Sequence, residues 1–212
     1  MRGASGFRLV ERDMKIMEEI DRWRVCQGRH IRELAGFSGQ RACDRRLRKL
    51  IEAGYIKRER ILYGVAGIYS NTIKTLGKMG VSFRNRKIRV EQITHDIAVV
   101  DTAIYFNKRH GIEFSNMQTE IELHRLDGFG IRKHRPDFVF TKDGKLICVE
   151  VELSLKAKHR FINIMRDNFS NYEKQIWVVP SLNSKIAQTL VNNKLAYSNI
   201  ELLELGEIQK YE

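Results

Sequence analysis

The chain is poor in cysteine and has no long apolar run. Its 212 residues include three cysteines, Cys26, Cys43 and Cys148, which lie far apart and form no Cys-x-x-Cys pair. An odd and dispersed set argues against a disulfide framework or a zinc knuckle and predicts reduced thiols. No apolar run approaches the roughly 20 residues that span a bilayer, and no signal peptide opens the chain. We therefore expect a cytoplasmic protein that does not enter a membrane.

Acidic residues are scarce in the first part of the chain. Residues 1–90 carry 22 Lys and Arg against 9 Asp and Glu, a net charge of +13, whereas residues 91–212 carry 16 against 17, a net charge of −1. Such asymmetry predicts a polyanion-binding module joined to a neutral one, with nucleic acid as the polyanion. A solvated basic face without a partner is the alternative.

Three helical patterns open the chain. Apolar residues at helical spacing predict helices over residues 11–25 and 28–37. Ser38 is the expected N-cap of a third helix that runs to Ala53, and Gly54 is its expected stop. The side chains expected to face inward on this third helix are Cys43, Leu47, Leu50 and Ile51.

The outer face of the third helix is rich in arginine, and a basic hairpin around a Gly-containing turn follows over residues 55–69. Three helices and a basic hairpin are the arrangement of a winged helix-turn-helix, whose third helix enters the major groove while the hairpin contacts phosphates. A three-helix bundle with an Arg-rich surface is the alternative. The predicted interface with double-stranded DNA consists of Arg41, Arg45, Arg46, Arg48, Lys49, Lys57, Arg58 and Arg60.

The predicted domains are a winged-helix domain over residues 1–80, a basic linker over 81–93 and a second domain over 94–212. In the second domain, helix and strand patterns alternate in an order that fits an α/β layer. The expected elements are a helix over 94–108, a mixed segment over 114–123, the hairpin described next, a helix over 156–172, a strand over 175–179, a helix over 181–195 and a strand over 199–205.

Two β-branched and aromatic runs, RPDFVFTK and KLICVEVEL, flank the pair Asp143-Gly144, which is a strong hairpin signal. A two-residue loop there places Asp137 opposite Glu150. Because directly opposed residues have Cβ atoms only about 4.5–5.5 Å apart and like charges there are destabilising, we expect a shared cation, Mg²⁺ or Mn²⁺. The alternative is a solvent-facing hairpin in which Arg135 and Glu152 form an ordinary cross-strand ion pair.

The motif Pro136-Asp137, followed thirteen residues later by Glu150-x-Glu152, resembles the PD-(D/E)xK nuclease superfamily. In that superfamily the Asp and the first acidic residue of the second strand bind a divalent metal. A lysine at the third motif position helps to activate the attacking water. In this chain Glu152 stands at the third position, although some active restriction enzymes of the same fold also carry Glu there.

The resemblance implies roles for individual residues in a restriction-endonuclease-like α/β domain. Asp137 and Glu150, with the carbonyl of Val151, would hold Mg²⁺ or Mn²⁺. Glu152 would orient or deprotonate the water or hold a second metal, and Glu120 would be the upstream acid. The fold expected for the whole chain is α+β, with a winged helix-turn-helix followed by this nuclease-like domain.

The chain as a whole, through HDIAVVDTAIYF, RPDFVF and CVEVELS, also resembles the plasmid replication-relaxation family and the mobilisation relaxases of the MOB-C class. The resemblance implies a nicking or accessory protein of a mobile element that acts on double-stranded DNA. A second copy of the chain and other mobilisation or replication proteins are further expected partners. Two functions stay open: a metal-dependent endonuclease or nickase, and a non-catalytic winged-helix regulator with a degenerate nuclease-like domain.

Overall fold

A computed structural model of the chain describes residues 7–80, 88–127 and 133–210. Over these ranges the protein is mixed α+β, with two sheets, and it divides into two compact units, Met1–Val100 and Asp101–Glu212. The boundary lies inside a helix rather than at the end of the predicted linker. Residues 81–87 of that linker lie outside the described residues. None of the described helices is long and apolar enough to cross a membrane.

The first unit contains a three-stranded sheet and helices that the apolar periodicity largely predicted. In chain order its elements are α1 (Glu11–Trp23), β1 (Cys26–Gln27), α2 (Gly28–Leu34), α3 (Gln40–Glu52), β2 (Ile56–Glu59), β3 (Ile68–Asn71), α4 (Ile73–Lys78), a 3-10 helix (Val90–Gln92) and the first turns of α5 (Ile93–His110).

The sheet of the first unit has the strand order β1-β3-β2, and both pairs are antiparallel. The hairpin of β2 and β3 was predicted, and it pairs Glu59 with Ile68 next to the connecting loop. Strand β1 was not predicted, because two residues are too few to show an alternating pattern. It pairs Cys26 with Tyr69.

The ends of α3 test two predictions. Gly54 stops the helix as expected, with a φ of 74° and its N–H donating to the Ile51 carbonyl at 2.9 Å. The Ser38 cap is wrong, because Gly39 is the N-cap. The inward position of Ile51 is also wrong: it is 37% exposed, since it lies about 100° around the helix from the fully buried Leu50.

The second unit is built on a five-stranded sheet with the order β4-β5-β6-β7-β8. The pairs β4–β5 and β5–β6 are antiparallel, and β6–β7 and β7–β8 are parallel. Its elements are the rest of α5, a 3-10 helix (Phe114–Asn116), β4 (Met117–Thr119), α6 (Glu120–Asp127), β5 (Phe138–Lys142), β6 (Lys145–Val151), α7 (Lys158–Asn171), β7 (Lys174–Val179), α8 (Lys185–Asn192), β8 (Ile200–Glu204) and α9 (Leu205–Gln209).

The hairpin of β5 and β6 has the predicted loop and register. Asp143 and Gly144 both have positive φ, 51° and 73°, as a tight two-residue hairpin loop requires. Lys142 pairs with Lys145, and the ladder continues to the pair of Phe138 with Val149. The ladder ends there, and the Asp137 N–H donates to the Val149 carbonyl at 3.1 Å, so Asp137 lies beside Val149, the residue before Glu150, at the open end of the hairpin.

The two faces of this sheet are covered by different helices. On one face, Phe138 and Phe140 pack against Phe106 of α5, with ring centroids 6.2 and 5.1 Å apart. On the other face, Trp177 of β7 packs against Phe161 of α7 at 5.1 Å. Glu150 pairs with Trp177 and so shares this second face, because directly paired residues point to the same side.

Two helices of the second unit are shorter than predicted. Helix α7 begins at Lys158, so Lys156 lies in the segment before it. Helix α8 begins at Lys185, where the Ser184 hydroxyl accepts a hydrogen bond from the Ala187 N–H at 3.2 Å. Because Ser184 caps the helix, residues 181–184 of the predicted helix are not helical. The short helix α9 was not predicted.

Candidate functional sites

Asp137 forms hydrogen bonds at the open end of the hairpin with both its backbone and its side chain. Its N–H donates to the Val149 carbonyl at 3.1 Å, and its carbonyl accepts from the N–H of Glu120 at 2.9 Å. Carboxylate oxygen Oδ2 accepts from the Val151 N–H at 2.7 Å. The side chain therefore takes the place of a backbone partner for β6 at the point where β5 begins.

Glu150 is buried, with 4% of its surface exposed, and is held by two side chains from different elements. Its Oε1 accepts from Asn168 Nδ2 of α7 at 2.8 Å and lies 2.6 Å from His134 Nε2. Burial opposes a charge on His134, but the hydrogen bond and charge of Glu150 outweigh it, so the pKa of His134 is raised.

Glu152 is the third acid of this region and is 3% exposed. Its carboxylate forms an ion pair with the ammonium of Lys156. Burial raises the pKa of Glu152, Lys156 lowers it, and the charges of Glu150 and Asp137 raise it further. Asp137, Glu150 and Glu152 thus act on one another electrostatically, and we call them the carboxylate cluster.

The alternative ion pair between Arg135 and Glu152 is wrong. Strand β5 begins only at Phe138, so Arg135 lies before the ladder, and its side chain turns to α6. Its guanidinium forms a two-point pair with Asp127, in which Nε donates to Oδ2 at 2.7 Å. This pair ties the end of α6 to the segment that leads into Asp137.

Glu120, the predicted upstream acid, is the first residue of α6 and is half-buried. Its N–H bond to Asp137 brings its backbone beside the cluster, and its Oε1 lies 3.6 Å from His124 Nε2. The helix starts here because Glu122 Oε2 accepts from the N–H of Thr119 at 2.8 Å, as in a capping box.

Sequence reasoning missed His134 and Asn168. His134 precedes the strand, and Asn168 lies 18 positions beyond Glu150 on a polar helix. Neither position has a periodic signal that points to Glu150. The one available hint is that His134 is three residues from Asp137.

The cluster contains oxygen donors of the type that a hard divalent cation prefers. The carbonyl of Val151 projects from the same edge of β6 as its N–H, which faces Asp137, because both groups of a residue in an extended strand point to one side. Over the described ranges, no group of three or more His, Cys, Asp or Glu is arranged to hold a metal. Mg²⁺ commonly takes one or two carboxylates and completes its shell with water and substrate phosphate, which this donor set allows.

The exposed cations of α3 form a separate candidate site, for DNA. Four of the predicted contacts on this helix are exposed: Arg41, Arg45, Arg48 and Lys49. Within the described part of the chain, their side chains form no ion pair. The three arginines and Asp44 line a groove of about 510 Å³.

Arg46 differs from its neighbours, because its guanidinium is committed to the interior of the first unit. It forms a two-point pair with Asp13, whose side chain is fully buried, and Nε donates to Asp13 Oδ1 at 2.5 Å. The guanidinium also lies 5.0 Å from the ring centroid of Phe7. Arg46, which the sequence predicted as a DNA contact, is therefore the ion-pair partner of a buried acid.

The predicted contacts on the β2–β3 hairpin lie at its exposed edge. Lys57 and Arg60 are exposed, and Lys57 Nζ lies 2.7 Å from Glu59 Oε2. Arg58 lies 5.9 Å from the ring centroid of Tyr69, and a Cβ on Gly67 would approach its Nε to 2.9 Å. Gly67 thus leaves the room that Arg58 occupies.

Comparisons with protein-family models, curated proteins and solved structures give no match to this chain. The carboxylate cluster and the exposed face of α3 are the two features of the protein that bear on its function.

Proposed function

We propose that this protein is a DNA-binding, divalent-metal-dependent endonuclease or nickase that hydrolyses a phosphodiester of double-stranded DNA. The observation that carries the proposal is that Asp137 is hydrogen-bonded to Val149 and Val151, on either side of Glu150, and that the charges of Asp137 and Glu150 both act on Glu152. Their positions, at the start of one hairpin strand and on the second, support the resemblance to the PD-(D/E)xK superfamily.

Each residue of the carboxylate cluster would have a different role in hydrolysis. A bound Mg²⁺ or Mn²⁺ supplies charge stabilisation at the phosphate and acidifies water. Asp137, Glu150 and the Val151 carbonyl would hold it. The Lys156 ammonium forms an ion pair with Glu152, so Lys156 would take the part of the lysine that the motif has at its third position. Lys156 would offset phosphate charge, and Glu152 would orient the attacking water.

The first unit would deliver DNA to this chemistry. The order of α1 to α3 followed by the β2–β3 hairpin supports a winged helix-turn-helix, with α3 in the major groove. Arg41, Arg45, Arg48 and Lys49 would supply phosphate and base contacts, so affinity should fall steeply with salt as counterions are released. The resemblance to replication-relaxation proteins and MOB-C relaxases supports a role in the cytoplasm on plasmid or other mobile DNA, alone or as a homodimer.

The test compares two hairpin acids. We expect Asp137→Asn to lose nicking of supercoiled plasmid in Mn²⁺ by about 100-fold or more, since several kcal/mol of charge stabilisation depend on the ion. It should also lose the Mn²⁺ binding that calorimetry detects in the wild type. Asp143→Asn is the matched control, because Asp143 is exposed in the loop and Asn tolerates its φ of 51°. It should nick and bind Mn²⁺ normally.

A non-catalytic DNA-binding regulator is the second candidate. It is favoured by the internal partners of the acids, since Glu150 is engaged by Asn168 and His134 and Glu152 by Lys156. A wild-type protein that binds duplex DNA but neither binds Mn²⁺ nor nicks plasmid would refute the nuclease and leave the regulator.

A further inference from the structure

An acid, Asp44, lies among the exposed cations at the start of α3. It lines the same groove as Arg41, Arg45 and Arg48 and is itself exposed. On a surface that only attracts phosphates, a carboxylate at this place is unfavourable, because it repels the DNA backbone. Its position among the arginines therefore calls for another role.

The carboxylate of Asp44 is held by a neutral side chain rather than by the arginines beside it. Within the ranges that the structure describes, its carboxylate makes no ion pair. Instead Oδ1 accepts a hydrogen bond from Gln40 Nε2, one helical turn earlier, at 2.8 Å.

The start of α2 helps to hold this pair. A Cβ on Gly28 would lie 3.3 Å from Gln40 Nε2 and 3.8 Å from Asp44 Oδ1, so the two side chains fill the space that the glycine leaves. The carboxylate is thus exposed and oriented at the same time.

The first turns of a recognition helix are the part that reaches base edges. In the major groove, a carboxylate accepts a hydrogen bond from the N4 amino group of cytosine, and arginine donates to O6 and N7 of guanine. We propose that Asp44 is a specificity-determining residue that reads a cytosine amino group, with Arg41 or Arg45 reading guanine nearby. This inference rests on the DNA-binding half of the proposed function and is independent of the nuclease half.

The experiment selects bound sequences from a random duplex pool with the full chain at fixed salt. The wild type should prefer cytosine at one position by roughly 5- to 150-fold. Asp44→Ala should lose the preference at that position alone while binding random duplex more tightly. Asp44→Asn should shift it towards adenine, which an amide reads.

Glu52→Ala is the matched control, because Glu52 is an exposed acid in the last turn of the same helix. It should keep the selected sequence, although it changes the net charge equally. If Asp44→Ala selects the wild-type sequence, or the wild type binds duplex without any preference, the inference is overturned while DNA binding stands. If the wild type binds no duplex at all, the DNA-binding half of the proposed function fails and Asp44 with it.

Discussion

Each unit of the protein buries an acid, and the two acids are held in different ways. Asp13 in the first unit is fully buried and receives the guanidinium of Arg46 together with the Val10 N–H at 2.8 Å. Glu150 in the second unit is almost as buried but receives the neutral amide of Asn168 and the titratable ring of His134. The first acid is thus paired with a permanent cation, whereas the second is held by a neutral amide and by a ring whose charge depends on pH.

The largest effect expected from this comparison is on stability in the first unit. Arg46→Ala leaves the buried charge of Asp13 without its cation and should lower the free energy of unfolding by about 3–5 kcal/mol. Denaturant unfolding measures this loss. Arg45→Ala, one residue away and exposed, should stay within about 0.5 kcal/mol of the wild type. Equal losses in the two variants would contradict the structural role of the Asp13–Arg46 pair.

An intermediate effect is expected at the second acid. Asn168→Ala removes one donor from Glu150 and should cost about 1–2 kcal/mol of stability. If Glu150 holds the proposed metal, Asn168→Ala should also weaken Mn²⁺ binding in calorimetry by about 10- to 100-fold, because a group that orients this ligand is lost.

Asn171→Ala is the control for Asn168, because Asn171 is exposed on the same helix and its amide donates only to the Asp167 carbonyl of that helix, at 2.6 Å. It should leave Mn²⁺ affinity unchanged. If Asn168→Ala binds Mn²⁺ as tightly as this control, Asn168 does not position a metal ligand.

The smallest effect is expected at Glu19, a buried acid of α1 that accepts from Trp23 Nε1 at 3.0 Å and pairs with Arg22. Burial raises the pKa of Glu19 above its usual 4.5, although Arg22 lowers it. The folded chain therefore holds this proton more tightly than the unfolded chain, and the resulting stability is lost as pH rises from 4.5 through the raised pKa.

Glu19→Gln keeps an acceptor for Trp23 and removes the titration. As pH rises from 4.5 through the raised pKa of Glu19, the wild type should lose stability while the variant does not. The resulting difference in unfolding free energy should be smaller than the losses expected for Arg46→Ala and Asn168→Ala. Parallel slopes for the two proteins between pH 4.5 and neutrality would show that Glu19 titrates alike in the folded and unfolded chains.

Local patterns predicted the framework of the candidate sites well. The loop at Asp143-Gly144 determined the hairpin register, and Gly54 ended α3 where expected. Both depend on backbone conformations that few residues adopt, so residue type alone is informative. The partners of Glu150 were not predictable in this way, since they come from a segment before the strand and from a helix beyond it.

The charge asymmetry and the spacing of Asp137 and Glu150 are properties of the chain itself, and folding cannot alter them. Packing decided which cations form internal ion pairs. Helical spacing places Arg45 on the outer face of α3 and Arg46 on its flank, but it does not show that Arg46 pairs with a buried acid. A rotation of about 100° along α3 turns one to solvent and the other towards Asp13, 33 positions earlier. A contact over that separation exists only once α1 and α3 have packed together.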